Sequence, residues 1–190
     1  MKNILMAISG PSGVGKGTLV KALLAEREDV AVSVSCTTRP PRAGERDGKE
    51  YFFLTRAEFE RRIAEDDFLE YDEHFGNYYG TPKSFVRETL KKKSVILEID
   101  VVGALNAKKV FPECVLIMIV PPSEEELKKR LKARNSETEE QIANRLERME
   151  YEFSKKALYD YIVMNDTLEN AERKLEEIID GEKKKMTQGV

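Results

Sequence analysis

"ILMAISGPSGVGKGTL" (residues 4–19) decides how the rest of the chain is read. A mostly apolar run reaches Gly10, the spacing G-x-x-x-x-G-K ends at Lys16, and Leu19, Leu23 and Leu24 recur at helical intervals behind it. A short apolar run closed by a glycine predicts a strand buried on both faces, as in a parallel sheet. Strand, glycine loop and helix in that order form the context in which this motif cradles phosphate. Glycines let backbone N–H groups turn inward around phosphate oxygens, and the helix N-terminus adds partial positive charge. Lys16 adds a full charge able to bridge β- and γ-phosphates.

Working outward, three more apolar runs follow: "SVILEI" (94–99), "CVLIMIV" (114–120), stopped by Pro121 and Pro122, and "YIVMN" (161–165). A last helix is predicted from about Leu168 to Ile179, and the tail "GEKKKMTQGV" reads as a frayed, solvated end. Strands alternating with helical stretches predict an α/β fold with a parallel sheet flanked by helices on both faces. Two segments break that alternation. Residues 33–82 carry strand-like pieces "YFFL" and "FLEYDEHF" around the helix-like "TRAEFERRIAED", where Thr55 and Glu58 form a capping box. This predicts a small α+β insertion. Residues 123–154 are charge-rich and helical, with capping boxes at Ser123/Glu126 and Ser136/Glu139, and predict a projecting helical hairpin. The core is then assembled from residues 1–32, 83–122 and 155–190.

With 190 residues the chain suits one domain with small insertions. A net charge of −3 gives no global field for nucleic acid, so none is expected as a partner. No run approaches the length needed to span a membrane, and the start lacks the pattern of a secretory signal. Cys36 and Cys114 stand far apart beside a single histidine, which excludes a disulfide framework or zinc site and points to a reducing cytoplasm. His74 is expected to be structural, and Cys36 to serve packing alone. The sequence carries no signal for an oligomeric state.

The segment "SVSCTTRPPRAGERDGKEYFF" (33–53) places Arg39, Arg42 and Arg46 around a turn stiffened by Pro40 and Pro41. Guanidinium forks with the Tyr51 hydroxyl suit a phosphate dianion, which Arg binds bidentately. A second tyrosine pair lies in "FGNYYGT" (75–81). The loop also has an unusual feature. Gly17 follows Lys16 where most such loops carry the hydroxyl that holds a metal, and Thr18 is one place late. The spacing G-K-G-T is similar to that of nucleoside monophosphate kinases, which implies ATP with Mg2+ as phosphoryl donor to a second nucleotide.

The chain as a whole resembles guanylate kinases. "ISGPSGVGKGTL", "SVSCTTRPPRAGERDGKEYFF", "FLEYDEHFGNYYGTP", "LEIDVVGA", "PPSEEELKKRLKARNSETEEQIANRL" and "IVMND" occur in the family's order across nearly the full length. The resemblance implies a P-loop kinase core, a GMP-binding insertion at 33–82 and a helical lid at 123–154. It implies ATP and GMP (with dGMP) as substrates. Gly10, Pro11, Ser12, Gly13, Val14, Gly15, Lys16, Gly17, Thr18, Arg130, Asn165 and Asp166 would bind ATP. Arg39, Arg42, Tyr51 and Tyr79 would hold the GMP phosphate, and Ser35, Glu70, Thr81, Glu98 and Asp100 would read the base. Lys16, Arg42, Arg134 and Arg145 would be catalytic. Mg2+ would be held by phosphates and water near Asp100, with no direct side-chain ligand. Val102 departs from the family, which often has glutamine there.

Chemistry supports these roles. Guanine presents N1–H and N2–H2 side by side, and one carboxylate accepts both, whereas AMP would leave Glu70 desolvated and unpaired. Arg130 and Arg134 are four apart and share a helix face. Three other readings remain in view. A peptide-binding module derived from such a kinase would lack the glycine loop or the lid arginines. A kinase for another acceptor would turn over AMP, a pyrimidine monophosphate or a phosphorylated sugar. A GTPase would carry a hydroxyl at position 17 and an N-K-x-D motif.

Overall fold

A computed structural model describes residues 2–74, 76–123, 125–127, 129 and 149–188; the side chain of His74 is not among what it describes. The expected hairpin at 123–154 therefore falls largely outside the described residues, and its second capping box, Ser136/Glu139, falls there entirely. The first begins as predicted: the Glu126 N–H donates to Ser123 Oγ at 3.1 Å, and residues 125–127 are helical.

The central sheet has five strands: β1 (Leu5–Ser9), β2 (Val30–Val32), β7 (Ser94–Glu98), β8 (Val115–Val120) and β9 (Tyr161–Met164). They lie in the order β2-β7-β1-β8-β9, and every pairing is parallel. Strand β1 sits in the middle and is buried throughout, as its unbroken apolar run requires. Its side chains still alternate. Met6 and Ile8 join Ile117, Ile119 and Val163 on one face, under α1 (Lys16–Glu26) and the last helix, α5 (Leu168–Gln188). Leu5 and Ala7 join Val95, Leu97 and Leu116 on the other, against Val86 of α3 (Lys83–Leu90) and Ala104 and Ala107 of α4 (Val101–Val110).

Strand β2 had no counterpart in the sequence reading. It is a three-residue edge strand, too short to show a period. The tail is corrected: α5 continues past Ile179 to Gln188. The Lys183 side chain is buried and ion-paired with Asp29, and Met186 packs on the main core, so this stretch is anchored helix.

Residues 36–82 form a second sheet from β3 (Cys36–Thr37), β4 (Phe52–Phe53), β5 (Phe68–His74) and β6 (Asn77–Pro82), ordered β4-β3-β6-β5. Helix α2 (Arg56–Ala64) lies with it and is opened by the capping box, in which the Glu58 N–H donates to Thr55 Oγ1 and the Thr55 N–H donates back to the Glu58 carboxylate. The fully buried Phe59 of α2 stacks on Phe68 and Tyr78, giving this unit its own small core. Helix α4 packs against β5 and joins the two sheets.

Candidate active site

The glycine loop leaves the C-terminal end of β1, where open α/β sheets hold their ligands. Gly15 stands at the N-cap of α1 with φ of 97°, a left-handed conformation that glycine adopts without steric cost. No side chain caps this helix and no acid occupies its first turn. Its leading N–H groups and their partial positive charge are thus directed at the loop. Lys16 folds back over the loop: its ammonium donates to the Gly10 carbonyl and, at 3.2 Å, to that of Pro11. Ser12, Gly13, Gly15, Lys16, Gly17 and Thr18 line a cavity of about 290 Å³ together with Glu98. Val14 is buried beneath it and Gly10 borders the neighbouring space.

Asn165, expected near the adenine, is buried, and its side-chain amide donates to the Val14 carbonyl at 2.7 Å. It clamps the loop from the end of β9. Asp166 is exposed and accepts from the Thr167 N–H at 2.7 Å and from Asn170 at 3.2 Å, bonds that hold its carboxyl below the usual range.

A larger cavity, about 650 Å³, opens between the two sheets. Ser35, Tyr51, Glu70, Tyr79, Glu98 and Asp100 all line it. Thr81 is buried beside it and donates to Glu70 Oε1 at 2.8 Å, with Ser35 Oγ 3.4 Å from the same hydroxyl. Burial raises the Glu70 carboxyl; the Thr81 bond opposes this and the Asp100 charge adds to it. Asp100 Oδ1 accepts from the Gly103 N–H at 2.8 Å and caps α4. At one end of this region the Tyr51 and Tyr79 rings meet edge-on, 6.1 Å apart, and the Arg39 guanidinium lies 5.6 Å over Tyr51. Arg39 also donates to Glu45 at 2.9 Å, which raises its own pKa and lowers that of Glu45. Arg42 is exposed, and its backbone N–H donates to the same Glu45 carboxylate at 2.7 Å.

Glu98, Ile99 and Asp100, at the end of β7, are common to this cavity and to a third of about 500 Å³ bounded by Gly10, Ser12, Lys16 and Glu152. Desolvation raises the Glu98 carboxyl against the pull of Lys16. Glu98 Oε1 would lie 3.3 Å from a Cβ placed on Gly17, so a side chain at position 17 would crowd this acid. Val102, on the first turn of α4, faces the acceptor cavity with half its surface exposed.

Three features were missed from sequence. Glu45 braces the arginine turn; an acid three residues after Arg42 was the available signal. Tyr159 hydrogen-bonds the Ser9 hydroxyl at the end of β1, and burial pushes its phenol up to about 12. Buried Glu152 closes the space beside Lys16. The last two lie some 150 residues from the loop in sequence, and no local pattern pairs them with it. Arg130, Arg134 and Arg145 lie outside the described residues.

A family model described as guanylate kinase matches residues 2–182. A guanylate kinase of Clostridium perfringens is 52% identical over 96% of this chain and 85% of its own length. One from Caldanaerobacter subterraneus subsp. tengcongensis is 49% identical over 96% and 89%. Among solved structures, guanylate kinase from Anaplasma phagocytophilum superposes with a TM-score of 0.72 at 31% identity, covering 95% of this chain and 86% of that one. Shikimate kinase from Bacteroides thetaiotaomicron, at 16% identity and a TM-score of 0.55, shares the fold alone.

Proposed function

The chain belongs to the guanylate kinase family, and from that premise we propose how its residues divide the work of the reaction. The protein transfers a phosphoryl group from ATP to GMP, releasing ADP and GDP. One observation carries the division: a single strand end, Glu98 to Asp100, borders both the glycine loop and the cavity that holds Glu70.

Donor phosphates lie against the first-turn N–H groups of α1, and Lys16 exchanges the Gly10 and Pro11 carbonyls for them. GMP enters the larger cavity. Its phosphate is taken by Arg39, Arg42, Tyr51 and Tyr79, and its base by Glu70 and Asp100 with Ser35 and Thr81. The attacking group is a GMP phosphate oxygen, so no side-chain nucleophile is required. Positioning and charge neutralisation supply the catalysis. Arg130, Arg134 and Arg145 would add charge from a hairpin that closes over both nucleotides. Closure excludes water, which would otherwise accept the phosphoryl group.

Mg2+ fits as the companion of ATP. Gly17 offers no hydroxyl at the position where most such loops carry the side chain that holds the metal. Phosphates and water would therefore be its ligands, with Glu98 and Asp100 accepting hydrogen bonds from that water. The ion, when bound, offsets the phosphate charge. No helix among the described residues is long and apolar enough to cross a membrane. With both cysteines free and buried, this suits a cytoplasmic enzyme.

The test is ADP release measured with GMP, dGMP, AMP and UMP as acceptors. GMP and dGMP should turn over, and AMP and UMP should not. Preference for AMP or UMP would overturn the reading.

A further inference from the structure

We propose that Gly103, in the first turn of α4, is a positioning residue that seats the acceptor-reading carboxylate of Glu70 by having no side chain. The inference rests on the reading of Glu70 and Asp100 as the groups that accept from guanine. A Cβ on Gly103 would stand 3.2 Å from Cγ of Glu70, 3.3 Å from Cβ of Ile99 and 3.4 Å from Oδ1 of Asp100. It would press on the stem of Glu70, while Asp100 Oδ1 stays at ordinary contact distance.

The backbone does not ask for glycine here. Gly103 is absent from the residues with positive φ, and it sits within a regular helix. Alanine would fit that conformation and favour the helix. The missing side chain thus works against α4 and in favour of what packs on it. Gly80 differs: a Cβ there would meet Phe68 and Tyr71 at 2.9 Å, a matter of strand packing.

Glu70 is held between two contacts. Thr81 donates to Oε1 from one direction, and the bare surface of Gly103 receives the Cγ methylene. The Gly103 N–H also donates to Asp100 Oδ1, an N-cap bond that any residue with a backbone N–H would make here. Guanine presents two donors in fixed directions, and hydrogen bonds weaken steeply off line. A displacement of a few tenths of an ångström at the Glu70 stem swings the carboxylate away from that pair. The glycine lines the acceptor cavity, and it sets base selectivity through the acid it seats.

The experiment compares the full chain with Gly103→Ala, in wild-type and Glu70→Gln backgrounds. It reads KM for GMP and ATP, kcat/KM for GMP against AMP, and Tm. Gly103→Ala should raise KM for GMP about tenfold, the effect of misaligning one charge-assisted bond. KM for ATP should hold, and Tm should hold or rise. In the Glu70→Gln background the same substitution should change KM for GMP by less than about twofold, because the charged acceptor whose alignment it disturbs is gone. An unchanged KM for GMP, an equal effect in both backgrounds, a parallel rise in both KM values, or a fall in Tm or loss of fold would overturn the proposal. Normal GMP selectivity in Glu70→Gln alone would instead remove the reading beneath it.

Discussion

Glu70 carries charge where its surroundings resist it. Burial and the nearby Asp100 raise its carboxyl, and the Thr81 hydroxyl only partly offsets them. In the proposed reading guanine needs the ionised form, so GMP affinity should be full above the raised pKa and decline as pH falls through it. The decline begins at higher pH than an ordinary carboxylate would give. In a pH series, KM for GMP should rise on acidification, and Glu70→Gln should flatten that arm; a wild-type profile as flat as the variant's would refute the role. Glu70→Gln should also narrow the gap between GMP and AMP, read as the ratio of their kcat/KM values. Lys16 predicts a different signature. Its ammonium rests on the loop carbonyls and is proposed to serve the donor, so Lys16→Ala should cut kcat by about 100-fold or more. Equilibrium GMP affinity, followed by titration, should stay within about threefold. Residues such as these were legible because their chemistry is local, a lysine in a glycine loop or arginines in a stiff turn. Gly103 was not, because a glycine within a helical stretch looks the same whether or not an acid packs on it.

Helices and strands differed in legibility for reasons of length and burial. Strands β1, β7 and β8 announced themselves as unbroken apolar runs, and β9 as a shorter one, because the sheet is covered on both faces. Strands β2 and β3 span three and two residues and depend on partners far along the chain, whereas the equally short β4 showed in the apolar piece "YFFL". Helix α5 was read one turn-pair short because its last stretch is lysine-rich. Lys183 nevertheless buries its stem and pairs with Asp29, which Arg27 also holds at 2.8 Å. Arg27 and Lys183 keep the Asp29 carboxyl far below its usual range. Since the folded pKa is depressed, the contribution is complete above the unfolded value and fades as pH falls through the folded one. Asp29 is half-exposed, so Lys183→Met should cost only about 1 kcal/mol at neutral pH. Denaturant melts at neutral pH and near pH 2 provide the check. The gap between variant and wild type should shrink in acid, and a constant gap would show that the ion pair contributes nothing.

Two sheets, each with its own core, meet along α4 and the end of β7, and the two cavities proposed for the nucleotides open on that seam. Charge on the two nucleotides should draw the halves together. Small-angle scattering should show the radius of gyration fall slightly with GMP and further with GMP plus a non-hydrolysable ATP analogue. An unchanged radius with both would argue against closure. The parallel core was legible in sequence, and the insertion was visible as a break in its alternation. The seam was not, because it arises only when distant strands come together. Its geometry has a consequence for anyone seeking to redesign the enzyme. Glu98, Ile99 and Asp100 border both cavities, so on the proposed reading an edit made there to admit a new base would dull the grip on the triphosphate as well. Altered selectivity would be sought more safely along β5 and the outer turn of α4, where Tyr71 and Asn106 serve one customer alone.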